Sequence, residues 1–123
     1  MRRLRSTEHD EQVAVCQWWA AACASYGLPE RALLAIPNAA RRSYALASYM
    51  KAEGLRAGTP DMLLAVPHRN LGGLWIEMKR KPNKPSDEQI EMIDFLECGY
   101  AVKVAYSADE AIDTIKEYLD NRP

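Results

Sequence analysis

From Leu74 to Lys79 the side chains alternate with a period of two, so that Leu74, Ile76 and Met78 fall on one face of an extended chain and Trp75, Glu77 and Lys79 on the other. The pattern predicts a strand that carries an acid and a base on the same face. Upstream, the apolar run from Met62 to Val66 predicts a second strand with Asp61 at its entrance, and His68 to Gly73, with Asn70 and two glycines, has the composition of a hairpin connection. Antiparallel pairing across that turn brings Asp61 towards Glu77, sixteen residues further on. Two converging carboxylates suit a hard divalent cation such as Mg²⁺ or Mn²⁺, which takes oxygen ligands, keeps waters and can also hold a phosphate. Lys79 adds a positive charge placed to orient or deprotonate an attacking water. Such a trio fits metal-assisted phosphodiester cleavage. A strand ending in Glu-x-Lys equally describes a solvated sheet edge with alternating charges, and these residues alone leave both readings open.

The chain has 123 residues, 48% of them hydrophobic, which is enough for one domain with a real core, expected to span residues 1–123. A net charge of −1 excludes a generally basic nucleic-acid binder, so any affinity for nucleic acid must come from local patches and a cation. The densest patch is Lys79, Arg80 and Lys81 with Lys84, in a loop rather than a domain linker. Cys16, Cys23 and Cys98 are odd in number and lack metal-ligand clustering, as expected of a reduced intracellular protein. The basic start Met1 to Arg5 is followed by Glu8, Asp10 and Glu11 instead of an apolar segment, and no stretch reaches membrane-spanning length. A soluble, cytoplasmic protein with no membrane partner is expected.

Thr7 is a candidate N-cap for a first helix running to Tyr26 before Gly27, with Val15, Trp18, Trp19, Ala22, Cys23 and Tyr26 as its apolar stripe. The two tryptophans are expected in the core. Extended backwards, the stripe reaches Glu8, Glu11 and Gln12, and its two acids either approach the Asp61 and Glu77 site or merely complement the helix dipole. Ser86 with Gln89 forms a capping box before Ile90, Ile93 and Leu96, and a helix starting there can aim its first turn at a phosphate. Leu33 to Ile36 and Ala101 to Tyr106 read as strands, Ser43 to Glu53 as a helix closed by Gly54. Ser107 with Glu110 is another capping box, opening a last helix with Ala108, Ala111, Ile112, Ile115 and Leu119 on its apolar face. His9 and His68 are expected at the surface, and Tyr44 and Tyr49 either pack their helix or touch nucleic acid. Asn38, Arg41 and Arg42 precede that helix, where phosphate contacts or a solvated turn are expected. The sum is an α/β fold, a small mixed sheet flanked by helices.

The ordered set Glu8 to Gln12, Ile36-Pro37-Asn38, Gly54, Gly58-Thr59-Pro60-Asp61, Ile76-Glu77-Met78-Lys79-Arg80, Ser86-Asp87-Glu88-Gln89 and Gly99-Tyr100 resembles the virus-type replication-repair nuclease (VRR-NUC) domain of the PD-(D/E)XK nuclease superfamily. The resemblance covers nearly the whole chain and departs at Ala39 and Ala40, where relatives often carry glycine. It implies a restriction-endonuclease-like core and a Mg²⁺- or Mn²⁺-dependent endonuclease. Asp61, Glu77 and the Met78 carbonyl would hold the ion, with Glu11, or Glu8 in its place, completing the site. Lys79 and Gln89 would position the nucleophilic water, and Asn38, Arg41, Arg42, Arg80, Lys81 and Lys84 would contact DNA. Stand-alone members look like homodimers, which implies branched DNA, four-way junctions above all, in phage or bacterial DNA metabolism. A non-catalytic DNA-binding or assembly module of the same fold and an RNA-directed nuclease are the competing readings. The first gives no reason to keep paired acids that repel phosphate, and the second lacks a recognisable 2′-hydroxyl reader.

Overall fold

The computed structural model describes residues 7–37 and 43–120. In chain order it contains α1 (Glu8–Ala22), β1 (Leu33–Ala35), α2 (Tyr44–Ala52), β2 (Met62–Leu64), β3 (Leu74–Met78), α3 (Asp87–Leu96), β4 (Ala101–Ala105) and α4 (Ala108–Asp120). The strands form one sheet in the order β1-β2-β3-β4; the first two pairings are antiparallel, and β4 lies parallel to β3 after the crossover through α3. This is the mixed α/β architecture expected from the sequence.

Strand β3 is interior, with a neighbour on each side and four of its five residues buried. The solvated-edge reading of its Glu-x-Lys end is thereby removed. Lys79 N–H donates to the Ala105 carbonyl at 2.9 Å, which carries the ladder one residue past the strand.

Helix α1 begins as its sequence dictates: Thr7 Oγ1 accepts from Asp10 N–H while the Asp10 carboxylate accepts from Thr7 N–H, each at 3.0 Å. It tightens into a 3₁₀ turn, Cys23–Tyr26, and stops at Gly27 in the left-handed region, φ 69°. Its stripe, led by Val15 and Trp19, packs with Ala111, Ile115 and Leu119 of α4 against the sheet face formed by Met62, Leu64, Leu74, Ile76 and Met78. Ile76 has no exposed surface, and its truncation to Ala would cost on the order of 2–5 kcal/mol. Trp19 is core as expected, its Nε1 donating to the Glu30 carbonyl at 2.8 Å, whereas Trp18 is half-buried beneath Lys116 Nζ.

Elsewhere the packing departs from expectation. His68 is buried, not at the surface: the hairpin, closed by paired His68 and Leu71 backbone bonds at 3.1 and 3.0 Å, turns its imidazole onto the Tyr118 ring. Tyr118 is itself fixed by donating its hydroxyl to the Val66 carbonyl at 2.7 Å. Before α4, Ser107 Oγ accepts from Glu110 N–H as expected, but the Glu110 carboxylate accepts from Tyr106 N–H instead of closing the box on Ser107. Helix α2 is capped by Ser43 yet buries none of its residues, leaving Tyr44 89% and Tyr49 66% exposed. Packing therefore does not account for those tyrosines. All three cysteines are free, and among the described residues no helix is long and apolar enough to cross a membrane.

Candidate active site

The antiparallel register pairs Met62 with Ile76, and one step further along it sets Asp61 opposite Glu77. Asp61 is held there from two sides. Its carbonyl accepts from Ile36 N–H at 2.8 Å, and its carboxylate Oδ2 accepts from Met78 N–H at 2.7 Å. The turn leading to Asp61 leans on the start of α3, because Gly58, at φ 83°, approaches it so closely that a Cβ would lie 2.5 Å from the Glu88 carbonyl oxygen. Only glycine combines that φ with that approach.

Since period two turns Glu77 away from the α1 and α4 face, its side chain points towards α3. It is 3% exposed. Oε2 accepts from Gln89 Nε2 at 2.8 Å and lies 3.6 Å from Lys79 Nζ, while Oε1 is buried with no hydrogen-bond partner. Gln89 does both things its sequence context allowed. Its Oε1 accepts from Ser86 N–H at 2.8 Å and its own N–H donates to Ser86 Oγ at 3.2 Å, closing the capping box, and that box aims the remaining amide nitrogen at Glu77.

Burial, reinforced by the neighbouring Asp61 charge, pushes Glu77 up to about 8, against which Lys79 pulls only in part. Burial raises Asp61 as well, opposed chiefly by its bond from Met78 N–H. At neutral pH the pair is therefore short of cation and holds a proton in its place. The orphaned Oε1, the paired buried acids and the raised affinity for a proton together fit a divalent ion, which replaces that proton with a larger charge. Mg²⁺ needs only one or two carboxylates, with water and substrate filling the rest. Among the described residues no group of three His, Cys, Asp or Glu gathers as a metal cage.

Other expected residues fall differently. Glu11 Oε1 accepts from Ala108 N–H at 3.1 Å, satisfying the first turn of α4. Glu8, one turn earlier, is the α1 acid whose charge raises both Asp61 and Glu77. Lys81 stands over the Tyr106 ring at 5.8 Å, and Lys81 and Lys84 are exposed while Arg80 is half-buried, in the loop before α3. Asn38, Arg41 and Arg42 lie outside the described residues. A cavity of about 240 Å³ opens beside the acids, its lining including Asp61, Glu77 and Gln89 together with Lys51, Leu55 and Arg56. Lys51 and Arg56 escaped the sequence reading, although two cations flanking Gly54 shortly before Gly58-Thr59-Pro60-Asp61 were a usable signal.

The family model for the VRR-NUC domain matches residues 2–109. A solved structure described as a VRR_NUC domain protein is 26% identical and superposes with a TM-score of 0.80, covering 99% of this chain and 93% of the other. No curated protein matches the chain.

Proposed function

Given that the chain belongs to the VRR-NUC domain family and has its nuclease-type fold, we propose that it is a divalent-metal-dependent endonuclease that hydrolyses DNA phosphodiesters at the Asp61 and Glu77 pair. The observation that carries the reading is Glu77 itself, a buried acid with one oxygen held by Gln89 and the other without a partner, beside a second raised carboxylate. A structural role does not explain it, since Lys79 sets a single positive charge against two adjacent buried acids and leaves them under-neutralised.

Asp61, Glu77 and the Met78 carbonyl would hold Mg²⁺ or Mn²⁺, with Glu8 rather than Glu11 as the acid from α1 that tunes the site. A divalent ion there supplies charge against the phosphate and lowers the pKa of water near it. The residues do the rest. Lys79, its ammonium 3.6 Å from Glu77, orients the attacking water and offsets the negative charge that grows on it as its proton passes to bulk water, and Gln89 keeps Glu77 in the conformation that leaves Oε1 free. Arg80, Lys81 and Lys84, with Asn38, Arg41 and Arg42, supply phosphate contacts that position without reading sequence.

We extend the proposal to branched DNA in phage or bacterial DNA metabolism, cut by a two-fold homodimer whose paired sites match the near-symmetry of a four-way junction. The test is a panel of junction, flap, duplex, single-stranded DNA and RNA with Mg²⁺, Mn²⁺ or EDTA, run beside sedimentation. Metal-dependent cuts at symmetry-related junction positions by a dimer are expected. No cleavage under any metal would favour a binding module, preferential RNA cleavage an RNA-directed nuclease, and a monomer that prefers flaps would end the junction proposal alone.

A further inference from the structure

Resting on the nuclease reading, we propose that the face of α2 bearing Tyr44 and Lys51, continued by Arg56, is the wall along which the cleaved strand runs. Lys51 and Arg56 hold backbone phosphates beside the scissile one, and Tyr44 stacks on a base that has left its duplex. The favoured substrate is thus nucleic acid with an unstacked nucleotide next to the cut.

Three observations converge on this face. First, Lys51 and Arg56 line the same cavity as Asp61 and Glu77. The acids of the site and the nearby Glu8 offer a polyanion no favourable charge, so a strand entering there needs cations in the cavity lining. Secondly, those cations are unspent. Among the described residues neither has a carboxylate partner, the ion pair near the cavity being Lys79 with Glu77. Arg56 Nη1 donates to the carbonyls of Lys51 and Leu55 at 3.2 and 3.1 Å, which fixes the guanidinium at the end of α2 and leaves its other donors for a phosphate. Thirdly, α2 buries none of its residues, although a nine-residue helix in isolation is marginal.

Helical spacing decides which tyrosine belongs to the wall. Tyr44 and Lys51 are seven residues apart, two turns on one face, whereas Tyr49 precedes Lys51 by two and lies on the other side with Glu53. An 89% exposed tyrosine in line with unpaired cations, with Ala47 and Ser48 between them, makes a stacking platform beside a phosphate track. It does not make the continuous apolar stripe that a second copy of the chain would need.

The test uses two labelled DNA substrates of the same sequence at the cut, one with a single-stranded flap there and one a continuous blunt duplex, cleaved in Mn²⁺. Lys51→Gln and Arg56→Gln should each raise KM about tenfold on both substrates, leave kcat within about twofold, and flatten the salt dependence by about one phosphate contact. Tyr44→Ala should raise KM about tenfold on the flap and leave the duplex unchanged. Tyr49→Ala should behave as wild type on both. Fluorescence anisotropy of the same DNAs in EDTA reads the wall independently of chemistry. If the wild type binds but never cleaves, while Lys51→Gln and Tyr44→Ala bind more weakly, the nuclease reading falls and the wall stands. Wild-type anisotropy and KM for both variants would overturn the wall, and loss of self-association by Tyr44→Ala without any change in DNA binding would reassign α2 to a second copy.

Discussion

Gln89 Nε2 donates to Glu77 Oε2 at 2.8 Å while Gln89 Oε1 accepts from Ser86 N–H, so one side chain both caps α3 and orients the buried acid. The two jobs separate by substitution. Gln89→Ala loses both and should cost about 1 kcal/mol of stability together with cleavage. Gln89→Glu keeps an acceptor for Ser86 but confronts Glu77 with a carboxylate that cannot donate. It should melt near the wild type at pH 5 and lose on the order of a hundredfold in kcat, read from melting curves and single-turnover cleavage. Wild-type turnover by Gln89→Glu would reduce this residue to a cap.

The raised Glu77 makes the metal-free protein sensitive to pH in a defined direction. Its folded value, about 8, exceeds its ordinary 4.5, so the folded state binds the extra proton between those limits. Stability from this group is fully present below about pH 4.5 and is lost as pH rises through 8. In EDTA, the melting temperature of the wild type relative to Glu77→Gln should therefore fall across that window. A flat difference between the two proteins would show that Glu77 carries no such strain.

Lys79 should affect turnover and not metal uptake. Lys79→Ala leaves both carboxylates in place and removes the cation 3.6 Å from Glu77, which should if anything tighten Mn²⁺ binding. Cleavage should fall by about 10²-fold or more, in the range of a lost charge-stabilising donor. Calorimetry and cleavage on the same preparation separate the effects. Loss of metal binding would place Lys79 in the framework of the site instead.

Gly58 predicts a longer-range effect. A methyl group there meets the Glu88 carbonyl at 2.5 Å on a backbone at φ 83°, so Gly58→Ala should cost about 1–3 kcal/mol and push the first turn of α3 away. Because that turn carries Gln89, kcat should drop at temperatures where the variant is still fully folded. Full activity of a folded Gly58→Ala protein would mean that α3 tolerates the displacement.

What was legible in the sequence, and what was not, follows from where the information lies. The alternation in Leu74 to Lys79 and the hairpin before it are local, and they were enough to set Asp61 opposite Glu77. Gln89 was equally local, since the Ser86 box fixes its direction. The partner of Glu11 was not, because Glu8 and Glu11 lie one turn apart on the same stripe and only the docking of the α4 N-terminus claims Glu11. Lys51 in α2 and Arg56 just after it reach the cavity because the irregular segment between α2 and β2 brings that helix end to Asp61, and this segment has no periodicity to read. His68 was misplaced for a related reason: its burial depends on Tyr118, fifty residues away in the chain.

The central claim, that Asp61 and Glu77 form the metal site of a nuclease, is tested most directly by titrating Mn²⁺ calorimetrically into wild type, Asp61→Asn and Glu77→Gln and assaying branched-DNA cleavage by the same samples. Each substitution keeps side-chain size and removes a charge, so folding should persist. The account predicts Mn²⁺ binding and cleavage by the wild type and the loss of both in each variant. Undiminished cleavage by folded Glu77→Gln would contradict it.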